Sequence, residues 1–159
     1  MMIILGIDPG TGITGFGVIE ANHAHDVTFV DAGVIRTEPN SPQPGRLQEI
    51  YDSITELITE YKPAVLAIEK LFFTNNITTA MTVSEARGVV LLCAAKAGME
   101  VYEYSPPQIK MAVTGYGAAE KIQVQEMVKN ILKLKIIPKP DDAADGLAVA
   151  LTCAFTVKS

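Results

Sequence analysis

Asp142 and Asp145, in Asp142-Ala143-Ala144-Asp145, are three residues apart. On a helix that spacing puts both carboxylates on one side, one turn apart, where they can face a single ligand. Acids at a helix start also serve as caps or answer the macrodipole, and Asp141 reads as such a cap. Two further acids, Asp8 and Glu69, each end an apolar run, residues 2 to 8 and 64 to 69. Were all four to converge, their repulsion would call for cations between them. Oxygen-only ligands favour a hard ion, Mg²⁺ with Mn²⁺ as a substitute, over zinc, which takes His or Cys. Four carboxylates formally balance two divalent ions. In a two-metal site, one ion activates a water and the other stabilises the leaving oxygen of an in-line phosphoryl displacement. The chemistry implied is phosphodiester hydrolysis.

The elements that would position these acids are legible from pattern. Residues 2 to 8 read as a buried strand, ended by Asp8-Pro9-Gly10-Thr11-Gly12, where proline holds Asp8 extended and the glycines allow a tight turn. Thr14, Phe16 and Val18 alternate with Gly15, Gly17 and Ile19, and Val27 to Ile35 is β-rich, so three strands form a meander. Leu47, Ile50, Tyr51, Ile54, Leu57, Ile58 and Tyr61 recur at steps of three and four, the apolar face of a helix that Pro63 ends. Ala64 to Ile68 is a short buried strand ending in Glu69. A helix from about Thr78 to Ala97, a strand from Glu100 to Tyr104, a turn of helix from Pro106, and helices near Glu120 to Leu134 and Asp141 to Val157 complete the chain. The expectation is one α/β domain over residues 1–159: a five-stranded mixed sheet, an antiparallel meander plus two parallel strands, flanked by helices. Sites in such sheets form at the carboxyl ends of adjacent strands.

The chain has 159 residues, 48% of them hydrophobic, which suits one ordinary core and argues against disorder. The first apolar run lacks a basic flank and meets Asp8 too early for a signal peptide or a membrane span, so a cytoplasmic protein without membrane association is expected. Cys93 and Cys153 lie in apolar segments without CxxC spacing and read as buried free thiols, and His23 and His25 form an isolated pair in a turn. The net charge of −5 is unevenly spread. Residues 103 to 139 carry six Lys against three Glu, between two acidic stretches. A groove that holds phosphates beside a carboxylate site would look like this, and so would a solvated helix face.

The residues as a set resemble the RuvC family of bacterial Holliday-junction resolvases, within the ribonuclease H-like (retroviral integrase) superfamily. The matching pieces are Gly6-Ile7-Asp8-Pro9-Gly10-Thr11 with Thr14-Gly15-Phe16-Gly17, and Ala67-Ile68-Glu69-Lys70-Leu71-Phe72-Phe73 with Asn76. They continue through Ala86-Arg87-Gly88-Val89, Tyr104-Ser105-Pro106 with Lys110, Gly115-Tyr116-Gly117 with Glu120-Lys121, and Asp142 to Ala148. In order and spacing they span nearly the whole chain. The resemblance implies a ribonuclease H-like fold and a metal-dependent, structure-selective DNA endonuclease. Such an enzyme acts as a homodimer on four-way junctions, places paired symmetric nicks with 5′-phosphate and 3′-hydroxyl ends, and works with RuvA and RuvB. It also implies that Asp8, Glu69, Asp142 and Asp145 hold the metal and that Lys121 and Lys110 lie beside the scissile phosphate. Phe72 would stack at the junction, Phe73 would do so or pack in the core, and Arg87 would touch a phosphate or pair with an acid. Small apolar residues at Ala80, Val83, Ala86, Val90 and Ala94 suit close helix packing, within the monomer or across a dimer. The chain stops at Ser159, without the basic C-terminal extension of some members, which lowers the expected DNA affinity.

Three rivals share parts of this pattern. Asp-x-Gly-Thr-Gly after a first strand also resembles the phosphate loop of actin-like and sugar-kinase ATPases, but those bind nucleotide between two domains. The RuvX group, associated with RNA processing, shares the architecture but fits Glu69-x-x-Phe72-Phe73 and the Lys121 region less well. A junction-binding module without catalysis would leave gaps in the acidic set.

Overall fold

The computed structural model describes residues 1–23, 26–71 and 76–157. Its elements run β1 (Met2–Asp8), β2 (Ile13–His23), β3 (Asp26–Arg36), α1 (Gln43–Tyr61), β4 (Val65–Glu69), α2 (Ile77–Lys96), β5 (Glu100–Tyr104), α3 (Pro106–Thr114), α4 (Lys121–Ile131) and α5 (Asp141–Thr156). The five strands form one sheet in the order β3-β2-β1-β4-β5. The meander β1 to β3 is antiparallel, while β4 and β5 join β1 in parallel. This is the mixed sheet expected from the sequence; α2 supplies the long crossover that the parallel neighbours β4 and β5 require, and α1 carries the chain from β3 across to β4.

Strand alternation divides the core into two layers. Ile4, Ile19, Val65 and Ala67 face α3, α4 and α5, and Leu5, Ile7, Val18, Leu66 and Ile68 face α1 and α2. Since β1 and β4 are central and covered on both sides, their sequences are apolar runs rather than alternating ones. Helix ends follow their chemistry. Lys62 closes α1 at φ 48°, its N–H donating to the Ile58 carbonyl, just before Pro63. At α3, Ser105 Oγ accepts from Gln108 N and Gln108 Oε1 accepts from Ser105 N, a reciprocal cap with Pro106 in the first helical position. One cap differs from expectation: Pro140 occupies the N-cap of α5, and Asp141 is already helical. Asp141 serves the helix dipole and faces Lys121 at 3.9 Å instead.

Helix α2 is apolar nearly all round. Ala80, Ala86, Val90 and Ala94 are buried within the monomer and Val83 is half-buried, so the stripe noted in the sequence packs within the chain. Cys93 and Cys153 are buried free thiols, and His23 is exposed at the end of β2. His25 lies outside the described residues.

Candidate active site

The carboxylates meet because three elements end at one place. β1 and β4 are adjacent and parallel, so Asp8 and Glu69 leave the sheet side by side at its carboxyl edge. The turn after Asp8 is pinned: Thr14 Oγ1 donates to the Gly10 carbonyl at 2.7 Å, Thr37 N to the Gly12 carbonyl at 3.0 Å, and Thr37 Oγ1 to the Thr11 carbonyl at 2.7 Å.

Helix α5 then lies unusually deep on β1 and β2. A Cβ at Gly15 would stand 1.8 Å from the Asp142 carbonyl oxygen, one at Gly17 would stand 2.6 Å from Leu147 Cα, and one at Gly6 would stand 2.3 Å from the Gly146 carbonyl oxygen. Gly146 returns the fit, its own Cβ falling 2.5 Å from the Phe16 carbonyl carbon. Backbone rests on backbone, and the first turn of α5 is pressed against the strand ends. In the sequence, Gly15 and Gly17 form one side of an alternating strand. That Gly146 faces them from α5 is the signal that would have identified a helix seat.

One oxygen each from Asp8, Asp142 and Asp145 lies within 4.8 Å of the others. Glu69 stands beside Asp8 at the end of the neighbouring strand and lines the same cleft. Burial, followed by the charge of Glu69, raises the Asp8 pKa from 3.8 to about 9. Glu69 and Asp145 are also raised, again chiefly by burial, although Asp8, Lys110 and Lys121 pull Glu69 down and Lys121 and Asp8 pull Asp145 down. Without a cation, the cluster therefore keeps a proton on Asp8 at neutral pH. Half-buried acids that repel this strongly, with oxygen the only donor, fit a hard divalent cation.

A stability profile follows. In the unfolded chain Asp8 loses its proton near 3.8, and in the folded cluster only near 9. The folded state binds more protons in that interval, so stability falls as pH rises through it. Thermal unfolding in EDTA should show a midpoint lower at pH 8.5 than at pH 5.5, and millimolar divalent cation should raise the pH 8.5 midpoint most. A cation-insensitive profile would exclude these acids as a metal centre.

Two clefts flank the carboxylates. One, of about 280 Å³, is lined by Glu69, Lys110, Lys121 and Asp145. The Lys121 ammonium lies 3.5 Å from Asp145 Oδ2. Partial burial works against its charge, but Asp145 and then Asp141 outweigh this and raise its pKa. The other cleft, of about 140 Å³, is lined by Asp8, Glu69, Lys70 and Arg87. Arg87 has an acid partner: its guanidinium pairs with Glu103 and donates to the Glu69 main-chain carbonyl at 3.4 Å, leaving the side chain 17% exposed. It braces the ends of β4 and β5. Lys70, quoted above only as part of a motif, is exposed and lines the same cleft. Phe72 and Phe73 lie outside the described residues.

The family described as "Crossover junction endodeoxyribonuclease RuvC" matches residues 4–153. A protein of that name from Heliobacterium modesticaldum is 52% identical over 156 residues, covering 98% of this chain and 96% of that protein. Its counterpart from Alkaliphilus metalliredigens is 54% identical over 155 residues, covering 98% and 94%. Among solved structures, T. thermophilus RuvC in complex with Holliday junction substrate superposes with a TM-score of 0.92 at 39% identity, over 98% of this chain and 94% of that one. The sheet order and the helices around it are thus those of a ribonuclease H-like fold in its RuvC form. Profile, sequence and backbone agree over almost the full length, and the chain belongs to the RuvC family of crossover junction endodeoxyribonucleases.

Proposed function

We propose that this chain resolves four-way DNA junctions by paired, symmetric phosphodiester hydrolysis, leaving 5′-phosphate and 3′-hydroxyl ends, in the cytoplasm of a bacterium and alongside RuvA and RuvB. The observation that carries this reading is the carboxylate cluster at the joined ends of β1, β4 and α5, with Lys110 and Lys121 in the adjoining cleft. Residues 1–159 act as one domain in this reading, since both layers of the core share one sheet.

Asp8, Glu69, Asp142 and Asp145 would hold two Mg²⁺ ions, with Mn²⁺ able to substitute. When bound, such ions supply Lewis-acid polarisation of phosphate and water. The protein's own part is positional and electrostatic. The glycine seat fixes Asp142 and Asp145 against Asp8. Lys121 and Lys110 bring positive charge to where the phosphoryl group gains negative charge, an arrangement that costs no reorganisation at the moment of reaction. Phe72, three positions after Glu69, would stack on an exposed base at the junction centre, and Lys70, in the second cleft, would meet backbone phosphate. Another surface groove, about 740 Å³ between α1 and β3, is lined by Asp52, Glu56 and Glu60 with Arg36 as its one cation among the described residues. Its charge is wrong for phosphate.

Paired nicks need two such sites. The outward face of α2 carries Ile77, Met81 and Leu92 at 71%, 62% and 53% exposure. Between them, no atom of the described residues lies within 4 Å of where a Cβ at Gly88 would stand. By length and composition α2 could cross a membrane, but its other face is committed to the core, and an apolar stripe opened by a glycine suits a second copy across a two-fold axis. Met81→Glu should convert a dimer to a monomer in sedimentation and cut paired nicking at least about tenfold. A variant that remains dimeric would place the interface elsewhere.

The deciding experiment is cleavage of a labelled synthetic four-way junction with Mg²⁺ or EDTA, beside linear duplex and RNA. Paired nicks confined to the junction and to Mg²⁺ are expected. Preferential RNA cutting, or inertness on several junction sequences, would overturn the proposal.

A further inference from the structure

The connection between α4 and α5 is unlike the rest of this acidic surface. From Lys121 to Lys139 the chain carries five lysines and a single acid, Glu126. Lys121 is answered by Asp141 and Asp145. Lys135 and Lys139 are exposed and make no ion pair among the described residues. They line one recess of about 290 Å³ together with Phe29, Ile136 and Ala143. Ala143 directly follows Asp142, so one wall of the recess is the first turn of α5, the turn that carries the cluster's Asp142. Lys139 is three positions before Asp142, a reach of at most about 11 Å even for extended chain. Successive phosphates of one strand advance about 3.4 Å along a duplex, so Lys139 stands within about three nucleotides of any phosphate held at the cluster. Ile136, between the two lysines, is 72% exposed.

We infer that Lys135 and Lys139 form a phosphate clamp on the duplex arm that leads into the cleavage site, setting the register of the strand over the carboxylates. The inference rests on the junction-cleaving function proposed above. Uncompensated lysines beside a buried acidic centre give the approaching backbone an attractive rim around a repulsive middle. In a chain of net charge −5, this rim concentrates the attraction on one arm. Such contacts position DNA without reading its sequence.

The test compares the parent with a Lys135→Gln/Lys139→Gln double variant, with Lys62→Gln as control because Lys62 precedes β4 at the opposite edge of the sheet. Binding of a synthetic four-way junction is measured in EDTA over a series of KCl concentrations, and single-turnover cleavage at saturating protein in Mg²⁺. Each phosphate contact contributes about 0.9 to the slope of log affinity against log salt. The double variant should lose close to two such contributions, bind at least about tenfold more weakly and, with the strand no longer held in register, cut more slowly than the parent even at saturating protein. Lys135→Arg/Lys139→Arg should recover the slope, and Lys62→Gln should keep it. A glutamine variant with the parental slope would overturn the clamp. A parent that binds junctions with this lysine-dependent slope but does not cut them would leave the clamp standing and sink the proposed function alone.

Discussion

Asp145→Asn should remove junction cleavage while leaving junction binding within about threefold. The substitution keeps the size and shape of the side chain at a half-buried position one turn into α5, so the glycine-seated backbone has no reason to move. What it removes is one negative charge from a cluster whose members lie within 4.8 Å, together with the partner of the Lys121 ammonium 3.5 Å away. A cation held by the remaining acids would be bound more weakly and off-centre. Losing one pre-aimed electrostatic group at a reacting centre costs about 10² to 10³ in rate, and losing a direct ligand should cost no less. Binding depends on phosphate neutralisation by lysines, which the change does not touch. In EDTA at pH 8.5 the same variant should unfold at a higher temperature than the parent, because one repulsive charge has gone. That pairing of lower activity with higher metal-free stability separates a site residue from a structural one. Full activity would remove Asp145 from the site. Lys121→Ala gives a contrasting profile: single-turnover cleavage slowed more than tenfold, with affinity changed less. An unaltered rate would return Lys121 to the solvated surface.

Asp8 and Glu69 were readable from sequence because a strand buried on both faces is an apolar run, and an acid can follow it only where the strand leaves the core. The i, i+3 pair in α5 was readable for an equally local reason. Their convergence was not, since it depends on which strands are neighbours: β1 and β4 are joined in space by a parallel pairing across some sixty residues of chain. Arg87 shows the limit most plainly. Its sequence neighbours leave phosphate and carboxylate equally open, and only the parallel pairing of β4 with β5 sets Glu103 level with Ile68 and within reach. For α2, an apolar pattern without a polar face could not say which side the monomer would use. The small-residue stripe went to the core, and the larger side chains Ile77, Met81 and Leu92 were left outside.

The seat of α5 yields the other large effect. Gly17→Ala should lower stability by about 3 kcal/mol, the upper part of the usual range for overpacking a filled core, or a fall in melting temperature of roughly 6 to 12 °C for a domain of this size. The reason is what the new methyl group meets: Leu147 Cα and N, both at 2.6 Å. A flexible side chain could swing away from such a contact, but main chain cannot, and the helix must lift as a body. Gly45→Ala is the matched control, because Gly45 sits inside α1 with nothing within 4 Å of its Cβ; there alanine should stabilise by a few tenths to about 1 kcal/mol through helix propensity alone. Gly15→Ala puts the same clash at the other end of the contact, 1.8 Å from the Asp142 carbonyl oxygen, where the displaced segment is the first turn of α5. Its expected signature is therefore chemical as well as thermal: cleavage lost by at least about a hundredfold and the divalent-cation rise in melting temperature abolished, because Asp142 and Asp145 no longer reach Asp8. If Gly15→Ala lowered the melting temperature yet kept cation response and cleavage, the seat would serve only the core, and the placement of the acids would have to come from the strand ends themselves.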